Sequence, residues 1–187
     1  MRDAARVRAA APADVDEMGA VAAAAWREGF RGIVPDEIDP GLAWRPERIA
    51  ARLTGDVDDR EMLVAEVEGA VRGLVVLGAS RDRDAPADEG EVIALYVHPD
   101  HWGHGIGRKL VESALGRLAV AGFREAIAWT LAESPRNLSF YESLGFGRDG
   151  GKQRRPSFGN PLEVRFRRSL DPMPERAGRG PDQRPAA

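Results

Sequence analysis

Between Glu91 and Leu110 the chain reads EVIALYVHPDHWGHGIGRKL: an apolar run, three alternating glycines (Gly103, Gly105, Gly107), then a helical pattern. Strand, glycine turn and helix in that order present backbone N–H groups and a partial positive charge to a phosphate. Two familiar glycine grammars fail here. A P-loop requires a second glycine five positions after the first, and the position reached from Gly103 is Arg108. The dinucleotide fingerprint G-x-G-x-x-G ends on Arg108 from Gly103 and on Leu110 from Gly105. What remains is x-G-x-G-x-G closing onto a helix N-terminus. All three histidines, His98, His101 and His104, fall in the same stretch. Their spacing invites a zinc reading, since imidazole is a common ligand. Pro99 breaks any helix that would align them, and no acidic cluster stands by to orient the rings. No metal is expected; His104 is placed beside the phosphate, and His98 and His101 are read as loop residues.

The flanking segments supply the scaffold. ARVRAAAP is a short first strand, and Asp14 is expected to cap the helix carrying Val15, Met18, Val21, Ala22, Ala25 and Trp26 at helical spacing. RPERIAARL reads as a second helix with proline in its first turn. Met62–Val67 and Ala70–Leu77 form a hairpin turning at Glu68-Gly69. The glycine turn leads into a helix from about Gly105 to Ala121, followed by a strand in REAIAWTLA. SPRNLSFYESLGF is a helix opened by Ser134 and Pro135, and EVRFRRSL is a last strand. Intermixed helices and strands, with the hairpin, predict an α/β (α+β) protein with a mixed sheet.

With 187 residues, 43% of them hydrophobic and 30% charged, the chain suits one domain with a good core. Residues 1–170 are expected to form it, with 171–187 a disordered tail too poor in apolar groups to repay ordering. The net charge of -3 argues against a broad nucleic-acid-binding surface. No cysteine is present, which excludes disulfides, thiolate nucleophiles and an acyl-cysteine intermediate. No apolar segment approaches the roughly 20 residues of a membrane span, and the N-terminus lacks a signal-peptide core. A cytoplasmic location is the expectation.

Trp102-Gly103-His104-Gly105-Ile106-Gly107 resembles the acyl-CoA motif [QR]-x-x-G-x-[GA] of the GNAT (general control non-repressible 5-related) N-acetyltransferase superfamily, with Trp102 where the motif has Gln or Arg. That departure removes one polar contact near the pyrophosphate. NLSFYESLGF, Asn137 to Phe146, resembles the family's late tyrosine helix, and the order of elements matches from about Val7 to Ser169. The resemblance implies a mixed, mostly antiparallel central sheet flanked by about four helices. It also implies acetyl-CoA as co-substrate and acetyl transfer to a primary amine by direct transfer in a ternary complex. The rival reading is a non-catalytic acyl-CoA-binding or regulatory module.

Acetyl transfer needs a neutral amine, a donor to the carbonyl oxygen, an in-line pantetheine arm and relief for the leaving thiolate. By resemblance, backbone groups of Leu95 and Tyr96 serve the acetyl carbonyl and Val97 the pantetheine arm. Trp102, Gly103, His104, Gly105, Ile106, Gly107 and Arg108 form the pyrophosphate cradle. Tyr141 is the general acid, its phenol protonated at neutral pH with an ordinary pKa of about 10. Glu91, opening the motif strand, is the candidate base, with Glu28 or a water chain as alternatives. Ser134 occupies the slot of a family asparagine that contacts the cofactor arm, and Asn137 lies one turn later; either could fill that role. The acceptor pocket is expected from Trp26, Glu28, Phe30 and Arg31, with Ile33, and from the loop KQRRPSFGNP. The acceptor itself stays open between small-molecule and peptide amines, and a homodimer is compatible.

Overall fold

The computed structural model describes residues 5–35, 37–38, 44–55 and 59–170. The expected tail, 171–187, lies outside them. In chain order the elements are β1 (Arg6–Ala9), α1 (Val15–Gly29), α2 (Pro46–Leu53), β2 (Glu61–Val67), β3 (Ala70–Ala79), β4 (Glu89–Val97), α3 (Ile106–Val120), β5 (Glu125–Leu131), α4 (Pro135–Ser143), β6 (Gly147–Arg154) and β7 (Leu162–Ser169). The strands make one seven-stranded sheet in the order β1-β2-β3-β4-β5-β7-β6. Only β4 and β5 run parallel. The sheet is mixed and mostly antiparallel, as the resemblance implied.

β2 and β3 are buried on both faces, which is why their sequences read as continuous apolar runs. Met62, Val64, Leu74 and Val76 pack with Val15, Met18, Val21 and Ile49 from α1 and α2. Leu63, Ala65, Val75 and Leu77 pack with Ile106, Leu110, Ala114 and Leu118 of α3 and with Tyr141 of α4. Glu68 (φ 52°) and Gly69 (φ 79°) both take left-handed conformations, the requirement of the tight turn that suits the twist of paired strands.

Two local expectations are corrected. Asp14 does not cap α1; its carboxylate turns back to accept from the Ala11 N–H at 2.8 Å and from Arg8 at 2.7 and 2.9 Å. That ion pair ties β1 to the start of α1. The loop KQRRPSFGNP is shorter than expected: its first three residues, Lys152, Gln153 and Arg154, end strand β6. The sequence of β6, GRDGGKQR, lacks alternation because it is an edge strand, exposed along most of its length and interrupted by a bulge between Arg148 and Lys152. There Gly151 leaves room for Arg165, whose Nε lies 2.8 Å from where a Cβ would stand.

Candidate active site

β4 and β5 pair only from Glu89↔Glu125 to Val92↔Ala128. Beyond that the two strands separate, while β4 stays on β3 and β5 stays on β7. A register shift leaves Ile93 as an extra residue on β4 where the separation begins. The His98 N–H bonds Arg72 on the β3 side, and an antiparallel strand alternates its bonding edge residue by residue. The backbone groups of Val97 and Leu95 therefore face the opening, and those of Tyr96 face β3. Tyr96, expected to serve the acetyl carbonyl through its backbone, lines both clefts at the opening.

Two connected clefts lie at the opening, sharing Phe30, Leu95, Tyr96, Asn137 and Phe140. One, of about 490 Å3, is lined by Val97, Trp102, Gly103, Gly105, Ile106, Gly107, Arg108, Ser134 and Arg136, together with Glu28 and His101. Gly103 (φ 78°) and Gly105 (φ 79°) need the left-handed region, and Gly105 stands at the N-cap of α3 without a side chain to occupy the first-turn N–H groups. A Cβ at either would meet nothing within 4 Å, so the space above the turn is clear. Gly107 is needed for another reason: a Cβ there would lie 3.4 Å from the Phe140 ring. These features fit a pyrophosphate on the α3 N-terminus, with a pantetheine arm running along the exposed edge of β4. Ser134 is buried, and its hydroxyl makes no cap bond, so it faces the cleft and not its own helix. The Arg108 guanidinium turns away to Ser143 and Glu112, leaving its backbone to the cradle.

The second cleft, about 440 Å3, has aromatic walls from Trp26, Trp44, Tyr96, Trp129 and Phe158. Arg81, Arg155, Glu163 and Tyr141 add polar groups. Trp26 and Phe30 line this cleft, edge to face at 4.6 Å between ring centroids. Glu28 and Arg31 do not: Glu28 lines the glycine-turn cleft, and Arg31 lines neither and pairs with Glu28. Glu28 is exposed in the last turn of α1, and Arg31 is exposed in the turn that follows the helix.

Glu91, the candidate base, is 1% exposed and accepts from Arg81 at three points: Nη2 at 2.6 Å, Nε at 3.0 Å and the backbone N–H at 3.0 Å. Glu91 does not line the cleft; Arg81 does. Among the described residues the carboxylate lining it is Glu163, held by Gln153 at 2.7 Å and Arg155 at 2.9 Å. Glu163 lies in EVRFRRSL, where a charged residue on an alternating strand gave no signal that it faced inward.

Tyr141 is buried between Phe140, Phe146 and Phe166, with no hydrogen bond to its hydroxyl among the described residues. Burial first, then the charge of Glu91, pushes its phenol well above the ordinary tyrosine range. Burial likewise raises Tyr96, partly offset by a hydrogen bond with Trp44. His101 is pushed down, by burial first and then by Arg72 and its neighbouring histidines. The three imidazoles lie 6.2 and 6.4 Å apart between successive centroids, and no described cluster of His, Asp and Glu is arranged for a metal. His104 is exposed on the turn. Among the described residues no helix is long and apolar enough to cross a membrane.

Residues 22–146 match the acetyltransferase (GNAT) family. A probable N-acetyltransferase of Mycobacterium tuberculosis is 30% identical over 78% of this chain and 81% of its own length. The L-amino acid N-acyltransferase MnaT of Escherichia coli is 31% identical over 59% of this chain; the match spans 59% of that protein. A GNAT superfamily phosphinothricin acetyltransferase from Sinorhizobium meliloti, solved with acetyl-CoA, superposes with a TM-score of 0.67 at 27% identity, covering 89% of this chain and 88% of its own.

Proposed function

Since the chain belongs to the acetyltransferase (GNAT) family, we propose that it transfers an acetyl group from acetyl-CoA to the primary amine of a small acceptor bearing a carboxylate, directly within a ternary complex. The separation of β4 from β5 after Val92↔Ala128 carries this reading. It joins an anion cradle to an aromatic cleft, with Tyr141 lining the second. Bound along this path, acetyl-CoA would supply an acyl group activated as a thioester.

The N–H of Leu95 is the donor placed to hold the acetyl oxygen as negative charge develops on it. The amine nitrogen attacks the acyl carbon, forming the C–N bond as the C–S bond breaks. Tyr141 stabilises the departing sulfur. A thiol has an ordinary pKa of about 8.5, far below that of a phenol raised by burial. Tyr141 therefore donates a hydrogen bond and keeps its proton, and the thiolate takes its own from solvent. The amine proton passes to Glu163, directly or through water, because that carboxylate faces the cleft.

Two observations favour a carboxylate on the acceptor. Arg81 and Arg155 line the cleft with N–H groups beyond those committed to Glu91 and Glu163, and guanidinium forks match carboxylates. The relative MnaT is an L-amino acid N-acyltransferase, which supports an amino-acid-like acceptor. The test is thiol release from acetyl-CoA against amino acids, decarboxylated amines of the same side chains, polyamines and N-terminal peptides, with Tyr141→Phe as control. Tyrosine-dependent turnover restricted to the carboxylate-bearing amines is expected. Turnover of the decarboxylated amines alone would overturn the acceptor class, and none across the panel would overturn the activity.

A further inference from the structure

Trp102 stands where the glycine motif it resembles has Gln or Arg, and two contacts account for what it does instead. Its indole Nε1 donates to the Val97 carbonyl at 2.6 Å, which fixes the ring beside the opening and removes its one donor from any anion. On the face of that ring lies Arg136, with Cζ 3.4 Å from the ring centroid. Both side chains line the cleft formed by Gly103, Gly105 and Gly107.

Arg136 is poorly placed for stability. It lies in the first turn of α4, directly after Pro135, where the helix dipole disfavours a cation and no acidic residue offsets it. The residue is exposed, yet packing against Trp102 partly desolvates its guanidinium, and no described carboxylate counters that effect. A cation set over an aromatic ring in the glycine-turn cleft, with no carboxylate partner among the described residues, is half of an anion site.

We propose that Arg136, oriented by Trp102, supplies the cationic contact to the pyrophosphate of acetyl-CoA that the substituted motif position no longer makes. This rests on the acetyl-CoA reading above. Trp102 is a positioning residue here and Arg136 the ligand-contacting one.

Equilibrium binding of CoA and of dephospho-CoA, which keeps the pyrophosphate and lacks the 3′-phosphate, tests the assignment at low and at physiological salt. Arg136→Ala is expected to weaken both ligands by the same factor, about tenfold at low salt and less at higher salt. Arg136→Lys should recover part of the loss. Trp102→Leu should weaken binding too, and the double variant should lose no more than the larger single loss, because one residue acts through the other. Thermal midpoints of the Arg136 variants report folding separately. Unchanged CoA affinity in Arg136→Ala, or a loss confined to CoA, overturns the pyrophosphate contact and leaves the acetyltransferase reading in place. Wild-type protein that binds neither ligand overturns both.

Discussion

Arg81 holds Glu91 at both carboxylate oxygens, and it is Arg81 that lines the aromatic cleft. The pair is tied across ten residues, from the end of β3 to the start of β4. Its carboxylate end is buried and its guanidinium end is partly open. Glu91 thereby anchors a cation at the aromatic cleft.

Replacing Glu91 with Gln is expected to cost about 2 kcal/mol of stability, since a charged hydrogen-bonded pair is broken. The loss is smaller than for a fully buried pair because solvent screens Arg81. Chemical denaturation measures it. Turnover with saturating acceptor should stay within about threefold, whereas Glu163→Gln should lower kcat by about 10²-fold. The reverse ordering would return the base to Glu91.

Tyr141→Phe removes only the hydroxyl from an aromatic cluster and should leave the fold intact. An expected fall of about 10²-fold in kcat, with unchanged acetyl-CoA affinity, identifies a contact made as the sulfur departs. Because the Tyr141 phenol is held above its ordinary range, its protonated form persists as pH rises. The wild-type kcat profile should show no tyrosine-dependent alkaline loss below about pH 10. Such a loss would mean the phenol ionises readily.

At the glycine turn, Gly105→Ala introduces a side chain into open space but at φ 79°, which should cost about 1 kcal/mol in stability. Gly105→Asp carries the same strain and adds a carboxylate to the anion cradle. CoA affinity by titration calorimetry should fall at least about 100-fold beyond the alanine variant, equivalent to about 2.7 kcal/mol. Equal affinities in the two variants would place the phosphate elsewhere.

Arg8 holds the Asp14 carboxyl below its ordinary value of 3.8, the ion-paired hydrogen bond being the main cause. A depressed folded-state pKa contributes stability that is present above pH 3.8 and lost as pH falls through the lower folded value. Asp14→Asn should remove about 1–2 kcal/mol at neutral pH and flatten the stability curve in that acidic window. An unchanged curve would show that β1 is held by its pairing with β2 alone.

The scaffold was legible where local signals agreed. The hairpin turn at Glu68-Gly69, the start of α3 after Gly105 and the span of α4 each follow from periodicity and turn chemistry within a few residues. β6 was not legible. An exposed edge strand has no buried face to impose alternation, and its bulge fills the middle with Asp149, Gly150 and Gly151. Asp149 is there for Arg165 and Arg167 of β7, partners that sequence neighbours do not announce.

The order of elements, the glycine turn and the tyrosine helix were set by the sequence itself, because each depends on φ/ψ demands and apolar spacing over a few residues. The tertiary structure decided which side chains share the opening between β4 and β5. Burial of Glu91 depends on Arg81, and the use of Glu163 depends on β7 lying beside β5. Arg136 meets Trp102 only because α4 packs beside the glycine turn. These are pairings between distant segments, decided by strand order and helix packing, and no local pattern encodes them.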